Sequence, residues 1–269
     1  MDLIDASLNS ITVRQANLSS VLDLAVEHGF GHVALWRGTY REVGADRAAR
    51  MVAARGLGVS SVCRGGMFPQ VDAALRARQH QDNCTAVREA ATLSARCLVL
   101  VCGGVLGRDI TGSREQIRDG IADLLPVAAA AGVRLALEPM HPMMAADRSA
   151  ITSLGEANVL LAELGAGPGL GIALDAYHVW WDVRVDDEIA RAGHNLLSVQ
   201  VSDWILPIND QLSSRGMPGE GCIDLDHFLQ AVASTDYQAP VEVEVLNAAN
   251  WHQEADAVVR RAAQAMAAL

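Results

Sequence analysis

The sequence contains no lysine. All 21 of its basic side chains are arginine, set against 32 acidic ones, for a formal net charge of −11. No basic run occurs, which argues against a nucleic-acid partner, since a phosphate backbone is normally held by clustered cations. Cysteine is sparse: Cys63, Cys84, Cys97, Cys102 and Cys222 are odd in number and form no CxxC. Reduced thiols in a cytoplasmic protein are expected from this usage. The first ten residues, MDLIDASLNS, lack a charged segment leading into an apolar one, so no signal peptide is expected. No apolar run approaches the roughly 20 residues that cross a membrane. A Gly-rich phosphate turn, the usual mark of an open doubly wound sheet, is missing after the first candidate strand.

What remains is 269 residues that are 51% hydrophobic, enough to bury a large core. Short apolar runs alternate with amphipathic stretches eight times. The expected strands are 7–13, 32–38, 59–66, 97–104, 133–139, 170–178, 195–204 and 241–247. The expected helices are 19–29, 45–56, 72–95, 113–132, 153–166, 186–193, 224–234 and 253–269. Asn17 or Ser19 suits the cap of the first helix, and Ser113 with Gln116 suits a capping box on the fourth. This rhythm favours a parallel sheet with helical crossovers, and eight units in a chain of this length fit an α/β fold of one closed (β/α)8 barrel spanning residues 1–269. No linker or second domain is apparent.

Four of the expected strands end on an oxygen-bearing side chain: Glu138 in LALEP, Asp175 in GIALDAYH, Gln200 in SVQVSDW and Glu244 in VEVEVLN. In a barrel strand alternate side chains face inward. Leu135 and Leu137 then face the helices while Ala136 and Glu138 face the axis. Likewise Val241, Val243 and Val245 face out while Glu242 and Glu244 face in. Burying even a neutral polar group without a partner costs on the order of 2–7 kcal/mol, so a cation is expected beside these carboxylates. An Arg64 or Arg215 partner is one solution. For three carboxylates and an amide on four successive strands, a hard divalent cation is the better one, since oxygen donors suit Mg2+ or Mn2+.

These segments, together with RGMPGEG and PVEVEV, resemble the xylose isomerase-like TIM-barrel superfamily of sugar isomerases and epimerases related to D-tagatose 3-epimerase. The resemblance covers essentially the whole chain. It implies one divalent metal, Mn2+ first and Mg2+ or Co2+ as substitutes, held by Glu138, Asp175, position 200 and Glu244. The two glutamates then also move protons as the catalytic pair. Position 200 departs from the family pattern, being Gln where the family has His. The resemblance further implies substrate contacts from His178, three residues past Asp175, and from Arg215, before the Pro-Gly turn.

Other candidates come from position alone. His141 follows Glu138 by three residues and would orient a ligand or touch substrate. Asp203 would back up the ligands or replace Gln200. Trp36, Trp180, Trp181, Trp204 and Trp251 all fall near strand ends, and Trp36 would line a sugar pocket. Arg37 and Arg64 follow the second and third strands and would bind a phosphate or carboxylate. Gly103 and Gly104 would bring backbone amides to a ligand or simply form a turn.

The expected chemistry is isomerisation or epimerisation of a carbohydrate-like, polyhydroxy carbonyl compound through a metal-stabilised enediolate. Loss of a beta substituent from the same intermediate would make it a dehydratase or a lyase. A non-catalytic ligand-binding barrel is the reading that Gln200 favours. Abasic-site nucleases share the barrel, but the acidic balance and the scarcity of histidine near the cup argue against one. No membrane partner is expected, and a homo-oligomer stays open.

Overall fold

The computed structural model describes residues 1–165 and 167–269. Eight parallel strands close into a barrel: β1 (Ala6–Asn9), β2 (His32–Trp36), β3 (Gly58–Gly66), β4 (Leu98–Val101), β5 (Leu135–Glu138), β6 (Leu170–Asp175), β7 (Leu196–Val201) and β8 (Val241–Val243). Sequential strands are neighbours, and β8 closes on β1. Each strand is followed by a helix of the outer layer. These are α1 (Leu18–Glu27), α2 (Ala45–Ala53), α3 (Ala73–Thr92), α4 (Ile110–Ala130), α5 (Leu154–Leu164), α6 (Val185–Ala192), α7 (Leu225–Ala233) and α8 (Ala255–Ala268). No helix among the described residues is long and apolar enough to cross a membrane.

The strands carry two kinds of buried face. Leu135, Leu137, Val241, Val243 and Val245 belong to the main apolar cluster, which also takes in Val258, Val259 and Ala262 of α8. Burying one such side chain contributes about 1.5–3 kcal/mol, and this layer holds the helices to the barrel. The inward face differs along the axis. A small plug of Cys97, Val99, Ala136, Ala173 and Leu197 fills part of the interior. Polar side chains, among them Ser7, Ser198 and Glu242, are also fully buried inside.

Several expected boundaries move; the expected second and sixth strands stop at Trp36 and Asp175, where Arg37–Tyr40 and Ala176–Val179 turn helical. The first strand ends at Asn9, and residues 10–13 form a 3-10 turn. The Asn9 side chain accepts from Ile11 N at 3.1 Å and caps that turn. Thr12 then substitutes for ladder backbone: its hydroxyl donates to Val243 O and accepts from Val245 N. The fourth helix starts at Ile110, capped by Asp109 through Gly112 N at 2.8 Å, rather than at Ser113. Ser113 bonds Asp109 O and Leu106 N instead, and Gln116 accepts from Gln70 N, so no capping box forms. Asn17 caps α1 through Ser20 N at 3.0 Å. The fifth helix stops at Leu164 with Gly165 in the left-handed region, and residue 166, the last of its expected span, lies outside the described residues.

The barrel decides which thiols react. Cys63, Cys97 and Cys102 are buried, whereas Cys222 is exposed and Cys84 partly so. Burial pushes the thiols of Cys63, Cys97 and Cys102 up, away from thiolate formation. A thiol titration of native protein is expected to modify Cys222 at once and Cys84 more slowly. The other three should react only after denaturation, and rapid labelling of Cys97 in the native state would contradict this arrangement.

Candidate active site

Successive strands deliver Glu138, Asp175, Gln200 and Glu244 to one mouth of the barrel. The ladder aligns Glu242 with Gln200 and Gln200 with Asp175. Glu244 lies one residue past β8, its N–H donating to Val201 O at 3.1 Å. All four side chains are buried. Two alternation steps set them there: an apolar residue outward, then an acid or amide inward.

The cation found among them is Arg215. Its Nη1 donates to Asp175 Oδ2 at 2.7 Å and reaches Glu244 Oε2 at 3.4 Å. The guanidinium carbon stands 4.5 Å over the Tyr177 ring centroid, a buried cation–π contact. The arginine side chain is fully buried, and its Nε has no partner among the described residues. A short antiparallel ribbon positions it, Trp204 pairing with Arg215 and Asp203 with Gly216. Asp203 holds the loop beyond by accepting four backbone N–H groups, from Trp204, Gly219, Gly221 and Ile223, at 2.8–3.0 Å. Its oxygens are thus consumed by the loop and are not free to ligate. Gly221 is required there: a Cβ would lie 2.3 Å from Trp204 O.

One guanidinium faces four buried carboxylates, Glu138, Asp175, Glu242 and Glu244. Burial, reinforced by Glu244 and Asp175, pushes Glu138 well above the usual carboxylate range. Burial also raises Asp175, against the pull of Arg215. Glu244 is pushed up to about 7 by burial, again opposed by Arg215. Glu244 is anchored on its other oxygen by Asn9 Nδ2 at 2.9 Å and Trp36 Nε1 at 3.3 Å. The inward position of Asn9 at the end of β1 was the one sequence signal that could have marked it.

Beneath the cup, Glu242 accepts from Ser198 Oγ at 3.1 Å and from Gln200 Nε2 at 3.2 Å. In this arrangement it is the nitrogen end of the Gln200 amide that faces Glu242. Gln200 Oε1 is left buried with no hydrogen-bond partner among the described residues. Such an acceptor is costly unless something donates to it or coordinates it.

Donor atoms of Glu138, Asp175 and His178 lie within 4.8 Å of one another, close enough to share a metal ion. His178 Nδ1, however, accepts from His141 N at 3.2 Å. The neutral ring therefore carries its proton on Nε2, which faces Glu138 Oε1 at 3.8 Å and Asp175 Oδ2 at 3.7 Å. Burial and the nearby Arg215 hold His178 well below the usual histidine range, so the neutral form prevails. Arg215 Nη2, 3.1 Å from that same Nε2, can only donate and does not bond this tautomer. His178 thus offers a proton rather than a lone pair. By donor type, the carboxylate oxygens and the amide oxygen of Gln200, which has no partner among the described residues, suit a hard divalent cation better than a ring nitrogen does.

The other candidates scatter. His141 packs against Trp181 and Trp204, and Trp204 stacks on Tyr177 at 4.9 Å. Trp180 joins this aromatic wall. Trp251 lies apart from it, under Arg14 and bonded to Ile11 O. Arg37 is spent on Asp82 and Glu89, bonded at 2.7–3.4 Å. Arg64 is half-buried beside Trp36 in a separate cleft. Gly103 and Gly104 form a packed turn: a Cβ on Gly104 would lie 2.4 Å from Ala146 O.

The sequence profile of the xylose isomerase-like TIM barrel family matches residues 22–269. Protein SMc04130 of Sinorhizobium meliloti 1021 has a solved structure 40% identical to this chain, with a TM-score of 0.94 over 98% of this chain and 97% of that one. The IOLI protein, solved with a bound zinc atom, is 19% identical with a TM-score of 0.85 over 98% and 96% of the two chains. A curated 3-dehydroshikimate dehydratase of Pseudomonas putida is 29% identical over 156 residues, which are 56% of this chain and 23% of that protein.

Replacing Arg215 by Met removes the guanidinium bonded to Asp175 and Glu244, the only one among the described residues. Breaking a buried pair of this kind costs about 3–5 kcal/mol. Urea unfolding in the presence of a chelator should report that loss, and an unchanged midpoint would contradict the charge balance described above.

Proposed function

The chain belongs to the xylose isomerase-like TIM barrel family, and from that premise we propose a metal-dependent enzyme that removes a proton alpha to the carbonyl of a small polyhydroxy ketone. Isomerisation or epimerisation of a carbohydrate-like substrate is the leading outcome, with residues 1–269 acting as one domain. The observation that carries this reading is the pair Glu138 and Glu244, which flank Asp175 and Gln200 at one mouth of the barrel.

The cation would be held by Glu138, Asp175, Glu244 and Gln200 Oε1, with Mn2+ first and Mg2+ or Co2+ as substitutes. When bound, it supplies Lewis-acid polarisation of the substrate carbonyl. The rest of the chemistry belongs to the chain. Glu244 is held by Asn9 and Trp36. No hydrogen bond to the Glu138 carboxylate is present among the described residues, so Glu138 has the freer oxygens for taking the alpha proton. The other glutamate returns a proton to the opposite face. His178 donates its Nε2 proton to a substrate oxygen, and Arg215 donates to its neighbour. The wall of His141, Trp181 and Trp204 limits water beside the reacting carbons.

The similarity to a dehydratase of Pseudomonas putida favours a second reading. The same glutamate takes the alpha proton, a carbon–carbon double bond forms, and the beta hydroxyl leaves as water after protonation by the second glutamate.

Solvent deuterium exchange into a panel of keto-sugars and cyclic hydroxyketones, followed by mass spectrometry, tests both. Wild-type protein with Mn2+ is expected to exchange the alpha proton. Glu138→Gln and Glu244→Gln should each slow exchange on the order of 100-fold or more. Loss of 18 mass units from the product would select dehydration. A Glu244→Gln protein with full turnover and full metal content would sink the assignment.

A further inference from the structure

A cleft of about 500 Å3 opens beside the cup, lined by Trp36, Cys63, Arg64 and Met67 among others. It adjoins the proposed reaction centre on two sides. Trp36 forms its near wall and donates to Glu244 Oε1 at 3.3 Å. Met67 packs on the cluster of Val101, Met140 and Met144, which flanks the end of β5 where Glu138 sits. Cys63 and Trp36 are paired in the β2–β3 ladder, so Arg64 is the next residue along the strand that borders the cup.

Three arginines border this cleft, and they differ in what they are free to do. Arg37 is tied by Asp82 and Glu89. Arg41 is exposed. Arg64 is half-buried, and no hydrogen bond or ion pair to its guanidinium is present among the described residues. It staples no loop and neutralises no carboxylate, while its planar donor fork matches one carboxylate in two parallel bonds. A phosphate dianion suits the cleft less well, because Asp82 and Glu89 also line it.

We propose that Arg64 binds a carboxylate on the substrate, so that the molecule acted on is a polyhydroxy keto acid. Its carbonyl end lies at the cup and its acid end crosses Trp36 into this cleft. The placement of the carbonyl rests on the function proposed above; the carboxylate site itself does not.

Isothermal titration of wild-type, Arg64→Lys and Arg64→Met proteins tests it, with and without Mn2+. The probes are shikimate, D-glucuronate, shikimate methyl ester and D-fructose 6-phosphate. At least one acid is expected to bind wild type on the order of 10- to 100-fold more tightly than Arg64→Met, with Arg64→Lys between them. The methyl ester should be weak and indifferent to Arg64. Acid binding that depends on Arg64 but not on Mn2+ supports this site while discarding the metal reading. Mn2+-dependent binding that ignores Arg64 does the reverse and overturns the proposal. Failure of both acids to bind, or tighter binding of the sugar phosphate, also overturns it.

Discussion

Four carboxylates buried inside one barrel, against a single guanidinium, are the constraint from which the rest of the structure follows. An unpaired charge in such a place costs several kcal/mol, so each carboxylate must be bonded, neutralised or protonated. Glu242 is bonded by Ser198 and Gln200. Glu244 is bonded by Asn9 and Trp36. Asp175 takes Arg215 and the Tyr177 N–H. Glu138 has no hydrogen bond to its carboxylate among the described residues, and burial pushes its carboxyl well above the ordinary range. The cup therefore has a place for more positive charge, beside an amide oxygen that has no donor of its own.

The supports reach well beyond the mouth. Arg215 enters the cup from a short antiparallel ribbon, and Asp203 ties that ribbon to the glycine loop by accepting three backbone N–H groups from it, besides that of Trp204. Glu242, one level below, sets the Gln200 amide by accepting from its nitrogen. A histidine at position 200 would bring its own lone pair to a metal. A glutamine needs this carboxylate beneath it to aim its oxygen upward. The same ladder that closes the barrel, Glu242 beside Gln200 and Gln200 beside Asp175, thus also orients the donors.

Much of this was legible in the sequence because strand alternation has a fixed period. LALE and VEVEV state plainly which residues face the helices and which face the axis, and the eightfold rhythm gives the barrel. Contacts between residues far apart in the chain were not legible. Nothing near Arg37 announces Asp82 and Glu89, so Arg37 and Arg64 look equivalent until the fold separates them. Asp203 has the look of a ligand, yet its role is set by a loop that folds back from about 20 residues downstream. The early end of β1 depends on Thr12 bonding to β8, over 200 residues away.

The central claim is that three carboxylates and the Gln200 amide oxygen form one hard-cation site. Crystals grown with Mn2+ and measured at the manganese absorption edge test it most directly. The account predicts one strong anomalous peak at the barrel mouth, with Gln200 Oε1 within about 2.0–2.6 Å of the ion and Arg215 displaced from its bridge between Asp175 and Glu244. No peak there, with Arg215 still bonded to Asp175 at saturating Mn2+, would contradict it.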